Sequence, residues 1–429
     1  MAEQTAEYFD IVIAGGGMAG ATMALALAPL RLNVAVIEAH PYQQQQTQPS
    51  FDDRCLALAW SSRQIYSAMG LWDKLSGNTT KQGGDSSAAI KQIHVSDRGH
   101  FGAVRLNHQE ENVPALGYVL ESRVIGETLL AQLKGHNNIR IFNPAYIEQL
   151  DNQSSPENVS LQVKAGKKLY HLESALLIIA DGVNSRTRES LNIRVHQRSY
   201  AQSAVIANIE TELAHQNVAY ERFTDSGPLA LLPLSRNRCS LVWTVRDHQL
   251  KDIMAFDDQQ FRSALQERFG FRLGQITRVG KRSSYPLALM TVDNRTLQGQ
   301  PRIALIGNAA HGVHPVAGQG FNLGLRDISA LAELIAGEIQ HKTGDPGDAQ
   351  LLTDYWQWRQ ADIRQVTTIT NSLIKLFSNN STALTVLRDS GLLMTDIVAP
   401  LRHAIAAEAM GNGLLQGRLS KMAVGQSIC

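Results

Sequence analysis

Three glycines, Gly15-x-Gly17-x-x-Gly20, follow directly on the apolar run Phe9 to Ala14. At that spacing the backbone can turn tightly and approach a pyrophosphate, whose charge then faces the N-terminus of a following helix. Ala19 to Leu27 reads as that helix, and Val34-Ala35-Val36-Ile37 as the next strand, ending on Glu38. An acid there can hydrogen-bond a ribose hydroxyl. The unit therefore reads as β-turn-α-β, built to hold a dinucleotide. His311 and His314 form H-x-x-H, a spacing that metals use. No Cys, Asp or Glu lies within 307–322 to complete a ligand set, so no metal is expected there.

Two more apolar runs end in glycine-containing turns. Ala175-Leu176-Leu177-Ile178-Ile179-Ala180 leads into Asp181-Gly182, and Arg302-Ile303-Ala304-Leu305-Ile306 leads into Gly307-Asn308. Both read as short, fully buried strands of a parallel sheet. In an open α/β sheet, ligands bind beyond the carboxyl ends of the strands. Three such ends, far apart in sequence, can meet around one extended ligand. FAD is long enough to need all three.

The elements that must position these turns fall into three textures. The chain has 429 residues, too long for one ordinary core. The expected fold class is α/β: a Rossmann-like FAD-binding domain, an inserted, mostly antiparallel β-sheet substrate domain, and a helical C-terminal tail. Residues 1–75, 116–195 and 290–345 form the first, 76–115 and 196–289 the second, and 346–429 the third. Ser203 to Ile209, Gly227 to Leu234 and Arg238 to Val245 are β-type segments of the inserted sheet. Ile90 to Val95 and Phe101 to Leu106 read as strands outside the first sheet. Tyr42 to Ser50 is a polar, glutamine-rich loop, and Ser76 to Ser87 marks a boundary. In the tail, Leu393, Ile397, Leu401 and Ile405 recur every four residues, with Pro400 as a kink.

Composition narrows the class. Hydrophobic residues make up 44% and charged residues 18%, as in globular proteins. The net charge of +1 leaves no electrostatic footprint for nucleic acid. Cys55, Cys239 and Cys429 form no C-x-x-C pair and read as reduced thiols. The first strand begins near residue 9, leaving no room for a cleavable signal peptide. No apolar run reaches the ~18 residues that span a bilayer. A cytoplasmic placement is expected, with peripheral contact at the inner membrane left open.

The glycine turn, the Asp181-Gly182 turn and two longer runs together resemble the single-component FAD monooxygenases of the para-hydroxybenzoate hydroxylase type. The likeness spans roughly residues 8 to 345 and is strongest to the ubiquinone-biosynthesis branch. It rests on Phe51-Asp52-Asp53-Arg54-Cys55-Leu56-Ala57-Leu58 and on the stretch from Gly307 to Gly324, which contains His314-Pro315-Val316-Ala317-Gly318-Gln319-Gly320-Phe321-Asn322. Within the branch, His94 to His100 and Glu221-Arg222-Phe223-Thr224 are similar to members acting on 2-octaprenyl-6-methoxyphenol.

The resemblance implies roles residue by residue. Gly15, Gly17 and Gly20 would bind the FAD pyrophosphate, and Glu38 the adenosine ribose. Arg54 and Arg123 would lie near the cofactor, with Asp181 and Gly182 as a second cofactor-side turn. Gly307 and Asn308 would approach the ribityl chain, while Pro315, Gly318, Gln319, Gly320 and Asn322 would line the isoalloxazine. NAD(P)H would bind transiently, as in this family, with which the absence of a second G-x-G-x-x-G unit is consistent, and O2 would be activated as a flavin hydroperoxide. The substrate would be a polyprenylated phenol, hydroxylated on its ring. Leu231 and Pro233, in the apolar segment Gly227 to Leu234, would line its pocket. His314 and Tyr285 are candidate catalytic groups by position. The alternatives are another phenol or ring position, or a non-catalytic prenyl-lipid-binding member of a ubiquinone-synthesis assembly. One departure stands out: Asn308 occupies a position where the family usually has Asp. Loss of that charge is expected to weaken flavin retention, so that the protein loses FAD easily on purification; a tightly held, stoichiometric flavin after extensive dialysis would contradict this.

Overall fold

The computed structural model describes residues 6–42, 54–77, 87–100, 102–314, 318–341, 344–377, 393–412 and 418–428. Pro315, Cys429, most of the glutamine-rich loop, the acidic pair Asp52-Asp53 and the core of the Ser76–Ser87 boundary lie outside them.

The first unit opens with β1 (Glu7–Ala14), α1 (Met18–Leu27) and β2 (Val34–Ile37). It continues later with β8 (Ile139–Phe142), β9 (Tyr146–Asp151), β10 (Val159–Ala165), β11 (Lys168–Ile179) and β18 (Ile303–Leu305). These seven strands form one sheet in the order β8-β2-β1-β11-β10-β9, with β18 on β11. β8, β2, β1, β11 and β18 run parallel, while β9 and β10 add an antiparallel edge. The apolar runs of β1, β2, β11 and β18 are buried on both faces, as parallel strands covered by helices must be. α1 is buried from Gly20 to Leu27, which explains its all-round Ala, Leu and Met composition. On one face it packs with α4 (Ser122–Leu133) and α9 (Gln319–His341).

A nine-stranded sheet follows in the order β19-β17-β12-β15-β14-β13-β5-β6, with β16 (Ile276–Val279) on β12. Its strands are β5 (Gln92–Asp97), β6 (Ala103–Asn107), β12 (Val195–Thr211), β13 (Val218–Thr224), β14 (Gly227–Pro233), β15 (Arg238–Arg246), β17 (Ser283–Val292) and β19 (His311–Gly312). Pairing is antiparallel except between β13 and β5. α6 (Asp247–Ala255) and α7 (Asp258–Phe269) lie on its back, where Trp243, Phe261, Leu265 and Phe269 form a core. A small third sheet is formed by β3 (Cys55–Ala59), β7 (Gly117–Glu121) and β4 (Ser87–Ile90), in that order. β3 leads into α2 (Trp60–Ala68).

The tail is helical, with α10 (Ala349–Phe377), a short α11 (393–397) and α12 (Ala399–Ala409). Pro400 does not kink a helix. It lies in the first turn of α12, where a missing N–H has no intrahelical partner to lose.

Candidate active site

The three strand-end turns converge. In the first, Gly15 takes φ +103, and a Cβ there would meet the Ala180 carbonyl oxygen at 2.6 Å. A Cβ on Gly20 would fall 1.8 Å from the Gly15 carbonyl oxygen. Gly17, the N-cap of α1, has open space where a Cβ would stand and faces a large cavity. No side chain caps α1, so its first-turn N–H groups are available to an anion. Gly307 takes φ +58 and packs against Gly324 of α9, where a Cβ on Gly324 would meet Gly307 Cα at 3.1 Å. Gly17, Gly182, Gly307, Asn308, Gly318 and Gly320 all line the cavity.

Glu38 holds the first turn in shape. Its two carboxylate oxygens accept from Gly16 N–H and His40 N–H, both at 2.7 Å. Tyr42 closes the same turn by donating its hydroxyl to the Gly16 carbonyl at 3.3 Å. Asp181 accepts from Thr187 N–H at 3.2 Å, and its second oxygen is buried with no hydrogen-bond partner. Asn322 is a tie rather than a free group. Its amide oxygen accepts from Ala59 N–H and the Ser62 hydroxyl, and its NH2 donates to the Ala57 and Gly318 carbonyls, all at 2.7–2.9 Å. It thereby fixes the Gly318 turn, at φ +63, against β3. Gln319 opens α9.

The cavity is about 1190 Å³. Its glycine-rich end has just been described. Its other end is apolar, built by Ile93, Val95, Leu106, Phe223, Leu401 and Ile405. Arg54 and Tyr285 also belong to the lining. Burial raises the Tyr285 phenol, and the Arg54 charge opposes that shift.

Several expected site residues sit elsewhere. Arg123 lies off the cavity lining, with its guanidinium bonded to Glu127 at 2.9 Å and facing Glu121 at 3.5 Å. His314 is fully buried, also off the lining, with its ring against Tyr200 at 5.2 Å. Burial pushes the His314 imidazole down to about 4, so it is neutral at ordinary pH. Leu231 and Pro233 do not line the pocket. Successive strand residues point to opposite faces, and Ala230 and Leu232 take the cavity side of β14. Leu231 is fully buried among Trp243, Phe261 and Leu241 behind the sheet. Leu232→Arg is therefore expected to fill the cavity and abolish hydroxylation while the protein folds and binds flavin. Leu231→Arg should instead cost more than about 3 kcal/mol of stability by burying an unpaired charge. Flavin absorbance and thermal melting of both variants separate these outcomes, and a well-folded, flavin-binding Leu231→Arg would overturn the assignment of faces.

A feature missed in the sequence stands behind the third turn. Asp327 of α9 is fully buried, and its Oδ2 accepts from Gly307 N–H at 2.9 Å and faces His311 Nε2 at 2.6 Å. Its Oδ1 accepts from Arg359 Nε of α10 at 2.7 Å. Among the described residues, no group of three His, Cys, Asp or Glu is placed to hold a metal ion.

Residues 8–370 match the family model described as an FAD binding domain. The chain belongs to this family of FAD-dependent monooxygenases. A ubiquinone hydroxylase, UbiL, of Rhodospirillum rubrum is 35% identical, covering 94% of this chain and 89% of its own. The human ubiquinone biosynthesis monooxygenase COQ6, mitochondrial, is 30% identical, covering 94% of this chain and 92% of its own. Among solved structures, p-nitrophenol 4-monooxygenase PnpA of Pseudomonas putida superposes with a TM-score of 0.73 at 17% identity, covering 95% of this chain and 99% of its own. That likeness shows the fold. The monooxygenase uses FAD and NAD(P)H, and the geometry fits the flavin: an uncapped helix N-terminus, an open Gly17 and an unpartnered Asp181 oxygen meet three glycine turns. No helix among the described residues is long and apolar enough to cross a membrane.

Proposed function

We propose that this monooxygenase hydroxylates the aromatic ring of a polyprenylated phenol of the 2-octaprenyl-6-methoxyphenol type in ubiquinone biosynthesis. The observation that carries the reading is the two-ended cavity. At about 1190 Å³ it exceeds the ~300–1,000 Å³ of a pocket for one drug-sized ligand. One end suits a pyrophosphate and the other a long apolar chain.

Gly15, Gly17 and Gly20 shape the turn that would hold the pyrophosphate, with Glu38 beside the adenosine ribose. Gly307 and Asn308 would face the ribityl chain, and Gly318 and Gly320 the flavin ring. Bound FAD carries electrons from NAD(P)H to O2. The chain's own residues do the rest. Ile93, Val95, Leu106 and Phe223 exclude water and hold an apolar tail. Arg54 places a positive charge near Tyr285 on the cavity lining.

Met394, Leu401 and Ile405 line the apolar end and are solvent-accessible, and Ile397 of the same segment, off the lining, is 67% exposed. This supports entry of a lipid-like substrate at the α11–α12 end, from a membrane surface. Mass spectrometry of quinone lipids from cells lacking the gene tests the reading. Accumulation of a prenylated phenol one ring oxygen short of the next intermediate is expected. Unchanged ubiquinone with no such species would reject it.

A further inference from the structure

Across the cavity wall, one row of the nine-stranded sheet runs Val104, Val95, Glu221, Ala230, Val242, Ile206, each paired with the next through the strand register. All six line the cavity, and five are aliphatic. Glu221 is the sole carboxyl among the described cavity-lining residues. An acid on an apolar wall carries a desolvation cost that packing does not require, because Val or Leu would serve the wall better. No charge balances it. The cations of the lining are Arg54 and Lys281, and Lys281 lies just before Ser283, which pairs with Ile206 four strands from Glu221. At ~4.8 Å per strand that is roughly 19 Å. On adjoining β5, the next acid along, Asp97, stands opposite Phe223 and faces His100 at 3.9 Å. His94 of β5 lies against Tyr220, and Arg222 and Arg272 contribute to each other's surroundings there. Two tyrosines belong to the lining: Tyr285 is on β17, also four strands away, and Tyr220, next to Glu221 in β13, has its ring against His94 and Phe269.

We propose that Glu221 binds the hydroxyl group of a phenolic substrate and takes its proton. This rests on the phenol-hydroxylase reading above. In the step, the phenol O–H bond breaks and the proton joins a carboxylate oxygen of Glu221. The bonding pair stays on the phenol oxygen and enriches the ring at the positions that oxygen activates. No electron leaves the substrate in this step, and the oxidant and reductant remain O2 and NAD(P)H. The proton returns when the product phenol forms. The apolar wall suits the task. Burial alone pushes the Glu221 carboxyl up to about 7, so it exchanges a proton near neutral pH and is a stronger base than an exposed glutamate. The remaining aliphatic row holds the ring and its tail without competing for the proton.

The test uses the full chain loaded with FAD, with 2-geranylphenol and its methyl ether as probes. Wild type is expected to bind the phenol about tenfold more tightly than the ether, the worth of a hydrogen bond to a charged group. Its hydroxylation kcat/KM should rise with pH through the neutral range, as the carboxyl ionises. Glu221→Leu should bring the two affinities together and lower hydroxylation about 100-fold, with flavin absorbance and ether binding unchanged. Glu221→Asp should restore part of the rate and the pH dependence. Equal rates, the same pH profile and undiminished phenol preference in Glu221→Leu would overturn the proposal. If wild type hydroxylates neither probe, the phenol-hydroxylase reading falls, while the phenol-over-ether binding difference still decides the role of Glu221.

Discussion

Asp327→Ala is expected to destabilise the protein by about 3–5 kcal/mol, the usual result of removing one partner from a buried ionic network. The carboxylate is fully buried and serves the Gly307 N–H, His311 and Arg359 at once. Arg359 also pairs with Asp362 at 2.7 Å, and Arg326 pairs with Asp362 at 2.9 Å. Two arginines therefore balance two aspartates between α9 and α10. Removing Asp327 leaves one positive charge uncompensated and orphans the N–H of the third turn. Burial by itself would raise the Asp327 carboxyl, but His311 and Arg359 outweigh it and hold it below the ordinary carboxylate range. A depressed carboxyl contributes stability above its unfolded value and loses it as pH falls through the folded value. The difference between wild type and variant should therefore be full at neutral pH and shrink in strong acid. Urea unfolding at both conditions checks this. A loss below about 1 kcal/mol at neutral pH would show that the network relaxes around the gap. Because Gly307 hangs on this carboxylate, FAD affinity should fall as well.

The second large effect concerns the first turn. Gly20→Ala is expected to weaken FAD binding by at least about 100-fold and to cost roughly 1–3 kcal/mol of stability, because the added methyl overpacks a site with no room. Its Cβ would stand 1.8 Å from the Gly15 carbonyl oxygen. Gly15 cannot retreat, since its N–H donates to the Ile37 carbonyl at 2.8 Å and it already lies against Ala180. Gly17→Ala is the control. The site is open, its φ of −66 suits any residue, and the apo protein should melt like wild type. The methyl would instead occupy space beside the α1 N-terminus that a pyrophosphate needs. Flavin fluorescence quenching and apo melting together give the signature: Gly20→Ala changes both, Gly17→Ala only binding. Wild-type FAD affinity in Gly17→Ala would place the pyrophosphate elsewhere.

Much of this molecule was legible in its residues. Phe9 to Ala14, Val34 to Ile37 and Ala175 to Ile179 were recognisable as buried strands because continuous apolar runs of that length have few other uses. The glycine turn was legible because φ +103 and a backbone contact at 2.6 Å demand glycine whatever surrounds them. The antiparallel texture of Ser203 to Val245 was visible for a similar local reason. What depends on neighbours distant in the chain was not visible. Alternation along Gly227 to Pro233 defines two faces but does not say which one meets the cavity, so Leu231 and Leu232 exchanged roles once β13 and β15 took their places. Pro400 reads as a break in isolation, yet the chain direction set by Val398 makes it the start of a helix. Arg123 looks like a free cation until Glu121 and Glu127 claim it. The Asp327, Arg359 and Asp362 cluster is spread over two helices and has no spacing of its own. Glu221 is one acid in a mixed run, and its chemistry comes from an apolar wall assembled by five other strands. Local propensity and backbone sterics wrote the turns and strands into the sequence. Burial and desolvation, which exist only after the sheets close, decided which residues face the cavity and which charges are paired.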